Sequence, residues 1–167
     1  MDNDTVREYL GLLMAAVADS TTGAEIVESE DGPFLICSVK SPFGDAEDIC
    51  YQFSVTQADE GLVAFEALIF LFSSINSDKF AGVNAITAAI DPHLTLGSLR
   101  LFEEGGSVIF AQGMIFDETQ DLGTVTSVLG KTVGLMENAA VNAGGYIRRY
   151  LNGEKLETLL DEISKEG

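Results

Sequence analysis

One histidine, two cysteines and nine cationic side chains in 167 residues leave little material for several common chemistries. His93 lies between Pro92 and Leu94, with no second histidine and no neighbouring cysteine. It reads as a surface residue at a helix end rather than a base or metal ligand. Cys37 and Cys50 each sit in an apolar, strand-like stretch, and no CxxC pair occurs. Two isolated cysteines make no disulfide framework, and they read as buried thiols of a reducing cytoplasm. No GxGxxG, Walker-type loop or GxSxG is present. The chain is therefore expected to carry no catalytic residue, no metal and no cofactor, and not to be an enzyme.

Long apolar runs are also scarce. The longest, Leu62 to Phe72, is eleven residues and is interrupted by Glu66, where a membrane span needs about twenty. The start, Met1-Asp2-Asn3-Asp4, is acidic where a signal peptide needs a basic region. A cytoplasmic location and no membrane association are expected.

What the chain has in excess is acid. There are 27 Asp and Glu against nine Lys and Arg, a formal net charge of −18. Residues 1–60 alone hold thirteen acids and only Arg7 and Lys40 as bases. Phosphate backbones and anionic lipid surfaces are repelled by such a field, which excludes nucleic acid. The charge either keeps the protein in solution or selects a basic or amphipathic polypeptide. Single acidic clusters have simple readings. Glu103-Glu104 precedes Gly105-Gly106 as a solvated turn, and Glu28-Ser29-Glu30-Asp31 lacks the alternation of an EF-hand loop.

The hydrophobic periodicity predicts an α+β domain. Thr5-Val6-Arg7-Glu8 fits a capping box, with Thr5 as N-cap of an amphipathic helix ending near Asp19. Strands are expected over 24–29 and 34–40, separated by the turn Glu30-Asp31-Gly32-Pro33, with Ser41 to Asp45 as a loop. Ile49, Tyr51, Phe53 and Val55 alternate with Asp48, Cys50, Gln52 and Ser54, the clearest period of two in the chain. The stretch 62–75 is apolar at both parities and reads as a strand buried on both faces. A second helix, capped by Asn76 or Ser77, stops at Pro92. A hairpin of strands 94–102 and 108–116 follows.

Asp117-Glu118-Thr119-Gln120 fits a second capping box, for the longest helix. Its stripe is Leu122, Val125, Leu129, Val133, Met136, Ala140, Ala143, Ile147 and Tyr150, and Gly144-Gly145 predicts a bend. Arg148 and Arg149 oppose the negative end of its dipole. Residues 1–153 form the domain. Residues 154–167 form a short amphipathic tail helix that either folds back or is mobile.

Helices on one side of a sheet leave strands with two apolar faces unexplained. The expected interaction surface is therefore Leu68, Phe70, Phe72, Val108, Phe110 and Met114, with Gly130 and Gly134 offering a small-residue face for close helix approach. These features predict a homodimer. Arg100, between Leu99 and Leu101, either pairs with an acid across the sheet or projects to solvent.

The segment Ala88 to Leu101 (AAIDPHLTLGSLRL) runs from a helix end into a Gly-Ser-apolar strand, and Phe102 to Phe110 (FEEGGSVIF) supplies an acidic glycine turn and the returning strand. In this order of elements the chain resembles the type III secretion chaperone-like group, including the YbjN-type regulators, over roughly residues 1–150. The resemblance implies a mostly antiparallel sheet with packed helices, a dimer, and action by binding proteins rather than by catalysis. The expected function is a non-enzymatic protein-binding module, chaperone-like or regulatory, using an apolar face with an acidic rim. A small-ligand-binding or enzymatic domain, with a cleft between sheet and helices, is the alternative.

Overall fold

The computed structural model describes residues 1–18, 21–43 and 48–166. The predicted end of the first helix at Asp19, and Gly44-Asp45 of the predicted loop, lie outside them. The elements run α1 (Asn3–Val17), β1 (Gly23–Val27), β2 (Phe34–Val39), β3 (Ile49–Asp59), β4 (Leu62–Phe72), α2 (Phe80–Ile90), β5 (Ser98–Phe102), β6 (Ser107–Asp117), α3 (Leu122–Leu151) and α4 (Leu156–Glu166). The six strands form one antiparallel sheet in the order β1-β2-β3-β4-β6-β5. This is the expected α+β class.

The helices form where apolar residues recur every three or four positions. Val6, Leu10, Leu13 and Val17 of α1 are buried against the sheet. The cap of α1 is Asp2 rather than Thr5: its carboxylate accepts from the Thr5 amide at 2.8 Å. A carboxylate there also meets the positive end of the helix dipole. The cap of α3 is likewise Asp121, which accepts from the Thr124 amide at 2.9 Å, and Asp117 instead closes a turn onto Thr119. The predicted α3 stripe is buried from Val125 through Ile147. The helix runs without interruption through Gly144-Gly145. The strand predicted from Leu94 begins at Ser98, after a 3-10 turn over Asp91–His93.

The tail folds back. Leu159 and Ile163 of α4 enter the main core. Arg149, at the end of α3, grips Glu154 (2.6 and 2.8 Å) and Glu162 (2.7 and 3.1 Å). Those hydrogen bonds, to Glu154 first, raise the guanidinium pKa further.

Candidate functional site

Strand alternation sends odd-numbered residues of β3 and β4 to the helices. Tyr51, Phe53, Val55, Val63, Phe65, Ala67 and Ile69 are all buried there. Paired residues share a face, so the register carries this side onto Phe110, Met114 and Phe116 of β6 and Leu99 of β5. The opposite face carries Phe34, Ile36, Cys50, Leu68, Phe70, Ile109, Ile115, Arg100 and Phe102. None of these belongs to the contiguous core under the helices or packs against it, although Ile109 is itself buried by its neighbours on this face. The chain thus has two layers, helices on one side and an uncovered sheet on the other. The stretch predicted as buried on both faces is covered on one only.

The uncovered face is apolar at its centre. Leu68 and Phe70 are half-buried by their neighbours, while Phe102 is 51% and Ile115 64% exposed. By strand pairing its charged side chains are Glu25 on β1, Asp59 at the end of β3, Glu66 on β4, Asp117 at the end of β6 and Arg100 on β5, of which Glu66 and Arg100 lie nearest its centre. Glu66 and Arg100 are both exposed, and Arg100 forms no ion pair among the described residues. Of the two readings of Arg100, projection to solvent is the one observed. A hollow of about 400 Å³ lies between Glu66, Leu68, Arg100, Phe102 and Ala111. A neighbouring one of about 540 Å³ lies along Thr56, Ala64, Glu66 and Ile115. The two meet at Gly113, which pairs with Glu66 and has no side chain to fill them.

Acids lie beyond both ends of the strands. Glu28, Glu30 and Asp31 occupy the β1–β2 turn, Glu60 follows Asp59, the last residue of β3, in the β3–β4 turn, and Glu103 and Glu104 occupy the β5–β6 turn. Glu28 is exposed but paired: Arg7 holds both its oxygens, at 2.9 and 3.1 Å, and also reaches Asp4 at 2.7 Å. The guanidinium lowers the Glu28 pKa.

The residues expected to form an interaction surface divide by parity. Leu68 and Phe70 are on the uncovered face. Val108 and Phe110 are fully buried under the helices, and Met114 packs against the core. Phe72 joins them because a register shift between Phe70 and Phe72 turns its side chain to the helical side. A Cβ on Gly130 would lie 3.7 Å from Cβ of Ala16 in α1, an ordinary contact, and one on Gly134 would have nothing within 4 Å, so neither glycine is needed for close helix approach. Phe102 and Ile115 went unmarked in the sequence, and Glu66 and Arg100 were not assigned to the interaction surface. The signal that finds them is Glu66, the one charge in β4: its parity identifies the open face.

The thiols also divide. Cys37 is buried on the helical side, and burial pushes its pKa up to about 11. Cys50 is half-buried on the uncovered face and is raised by burial as well. Among the described residues no group of His, Cys, Asp and Glu is arranged to hold a metal, and no helix is long and apolar enough to cross a membrane. On the helical side a cleft of about 410 Å³ opens between Leu94, Leu135, Asn142, Tyr146 and Ile163, with exposed His93 at its edge.

No family model matches the chain, and no curated protein matches it in sequence.

Proposed function

We propose that this chain is a non-enzymatic protein-binding module, chaperone-like or regulatory, that works through the uncovered face of its sheet. The observation that carries this reading is the missing third layer: a six-stranded sheet whose second face leaves Phe102 and Ile115 more than half exposed. Exposed apolar patches of this kind mark interaction sites. At about 4.8 Å per strand and 3.3 Å per residue, six strands by about six residues cover roughly 600 Å². That approaches the roughly 800 Å² per partner of a standard protein interface. Acids at the strand ends supply the polar rim such interfaces have.

The order helix, strands, helix, hairpin, long helix also fits the type III secretion chaperone-like resemblance, which supports a dimeric protein binder. Free thiols at Cys37 and Cys50 fit a reducing, cytoplasmic setting. The cleft beside His93 is of a size that takes a small ligand. His93 and Thr95 both line it, but no hydrogen bond joins them among the described residues, and the sheet face is the better candidate.

The test is a comparison of wild type with Phe102→Asp/Ile115→Asp in affinity capture from the cells that make the protein. The expected result is loss of the captured polypeptides, including tagged copies of the chain itself, with circular dichroism unchanged. An identical set captured by both proteins would overturn the assignment to this face.

A further inference from the structure

We infer that the occupant of the uncovered sheet face is a second copy of this chain, docked about a two-fold axis through Ala111 that sets Glu66 of each copy against Arg100 of the other. This deepens the proposed function and rests on it.

Charge is the first argument. The whole chain carries −18, yet by register the face holds four acids and one base: Glu25 on the edge strand β1, Asp59 and Asp117 at one end of β3 and β6, and only Glu66 and Arg100 around its centre. A basic peptide would find its complementary charges at the strand ends, not on the apolar centre. A second copy would find a centre with one acid and one base, where like-charge repulsion between copies is small.

Geometry is the second argument. In an isologous interface a residue meets its partner reciprocally. Glu66 pairs with Gly113 and Arg100 with Ile109, on strands that flank β6 from opposite sides. The midpoint between them falls on Ala111, which has Leu68 and Ser98 as its lateral neighbours. A two-fold axis there, perpendicular to the line from Glu66 to Arg100, makes two equivalent ion pairs. Strand spacing and rise place the two residues about 10 Å apart across the sheet and about 13 Å along it. The strands of the two copies then cross at roughly 70°, within the orthogonal class of sheet packing. That crossing swings the acidic strand ends of each copy away from those of the other. Ala111 and Gly113 keep the centre low enough for Leu68 and Phe70 to meet their counterparts.

The test is sedimentation of the full chain over a concentration series, with Glu66→Arg, Arg100→Glu and the double exchange. Both sites are exposed, so the fold is expected to survive, and thermal unfolding checks this. Wild type should be a dimer. Each single exchange opposes like charges twice and should weaken the dimer by on the order of tenfold or more. The double exchange should restore it to within a few-fold. In addition, Ala111→Cys in a Cys50→Ser background should join to itself with a short bismaleimide, because Ala111 lies on the axis. A wild-type monomer at about 100 μM would overturn the inference. So would a dimer indifferent to the exchanges but dissociated by Leu135→Asp, which would place the contact on the outer side of α3. If wild type is monomeric while other polypeptides are lost from Phe102→Asp/Ile115→Asp, the sheet face still binds protein and only the second copy is wrong. If neither is seen, both readings fall.

Discussion

Gly144 and Gly145 sit side by side in α3, yet a methyl group meets different surroundings at the two positions. At Gly145 there is nothing within 4 Å, while at Gly144 the new carbon would lie 2.6 Å from the Phe43 ring, which itself packs on Phe72. Gly145→Ala is therefore expected to stabilise the protein by about 0.5–1 kcal/mol, through helix propensity alone. Gly144→Ala is expected to destabilise it by about 1–3 kcal/mol, because Phe43 must move. Urea unfolding midpoints with an unchanged slope read both effects. Titration at the residue scale has a sign as well. Burial raises Cys37 to about 11 and raises Tyr51, with Glu137 adding to the latter. Both groups stay neutral in the folded chain after they would ionise in the unfolded one. The Cys37 contribution is whole below about pH 9 and is lost as pH rises through 9 to 11, while that of Tyr51 begins to be lost only above about pH 10. Unfolding free energy measured from pH 8 to 11 should fall across that window, and Cys37→Ala should flatten part of the fall.

Among the elements, α4 is held by two unequal devices. Leu159 is fully buried in the core, whereas the Arg149 grip on Glu154 and Glu162 is about 40% exposed. Leu159→Ala should cost about 2–5 kcal/mol in global unfolding. Arg149→Ala should cost at most about 1 kcal/mol, because exposed ion pairs are screened, while hydrogen exchange within α4 quickens. Equal global costs would mean the ion pairs hold α4 as strongly as the core does. The same contrast explains what the sequence showed of each element. The stripe of α3 was readable because its period persists over thirty residues. The caps were misplaced because two capping-box templates matched at Thr5 and Asp117, while Asp2 and Asp121 stand at the right distance from free amides. In β4, apolar residues at both parities concealed which face is covered. That is decided by which helices reach the sheet, a long-range property no local window holds. Leu68 and Phe70 were found as surface residues, and Phe72, Val108, Phe110 and Met114 were not separated from them, for this one reason.

At the scale of the whole molecule, the excess of acid and the open sheet face pull in opposite directions. Two copies at −18 repel, and the repulsion reaches far at low salt, where the Debye length is about 30 Å at 0.01 M against about 8 Å at 0.15 M. Apolar burial between the faces is not screened in this way. If the face binds a second copy, raising NaCl from about 0.01 M to about 0.15 M should tighten the dimer, with Kd falling several-fold, because the long-range term weakens more than the two Glu66–Arg100 contacts do. A basic polypeptide on the same protein would behave oppositely, losing attraction to Glu30, Asp31, Glu60 and their neighbours as salt rises. Replacing Glu30, Asp31 and Glu60 by their amides should tighten the dimer at low salt and have little effect at high salt, since it removes repulsion and no contact. Sedimentation at the two salt concentrations, with and without the triple substitution, reads the sign directly. A dimer that loosens with salt would mean that attraction between opposite charges, not burial of the sheet face, holds the two copies together.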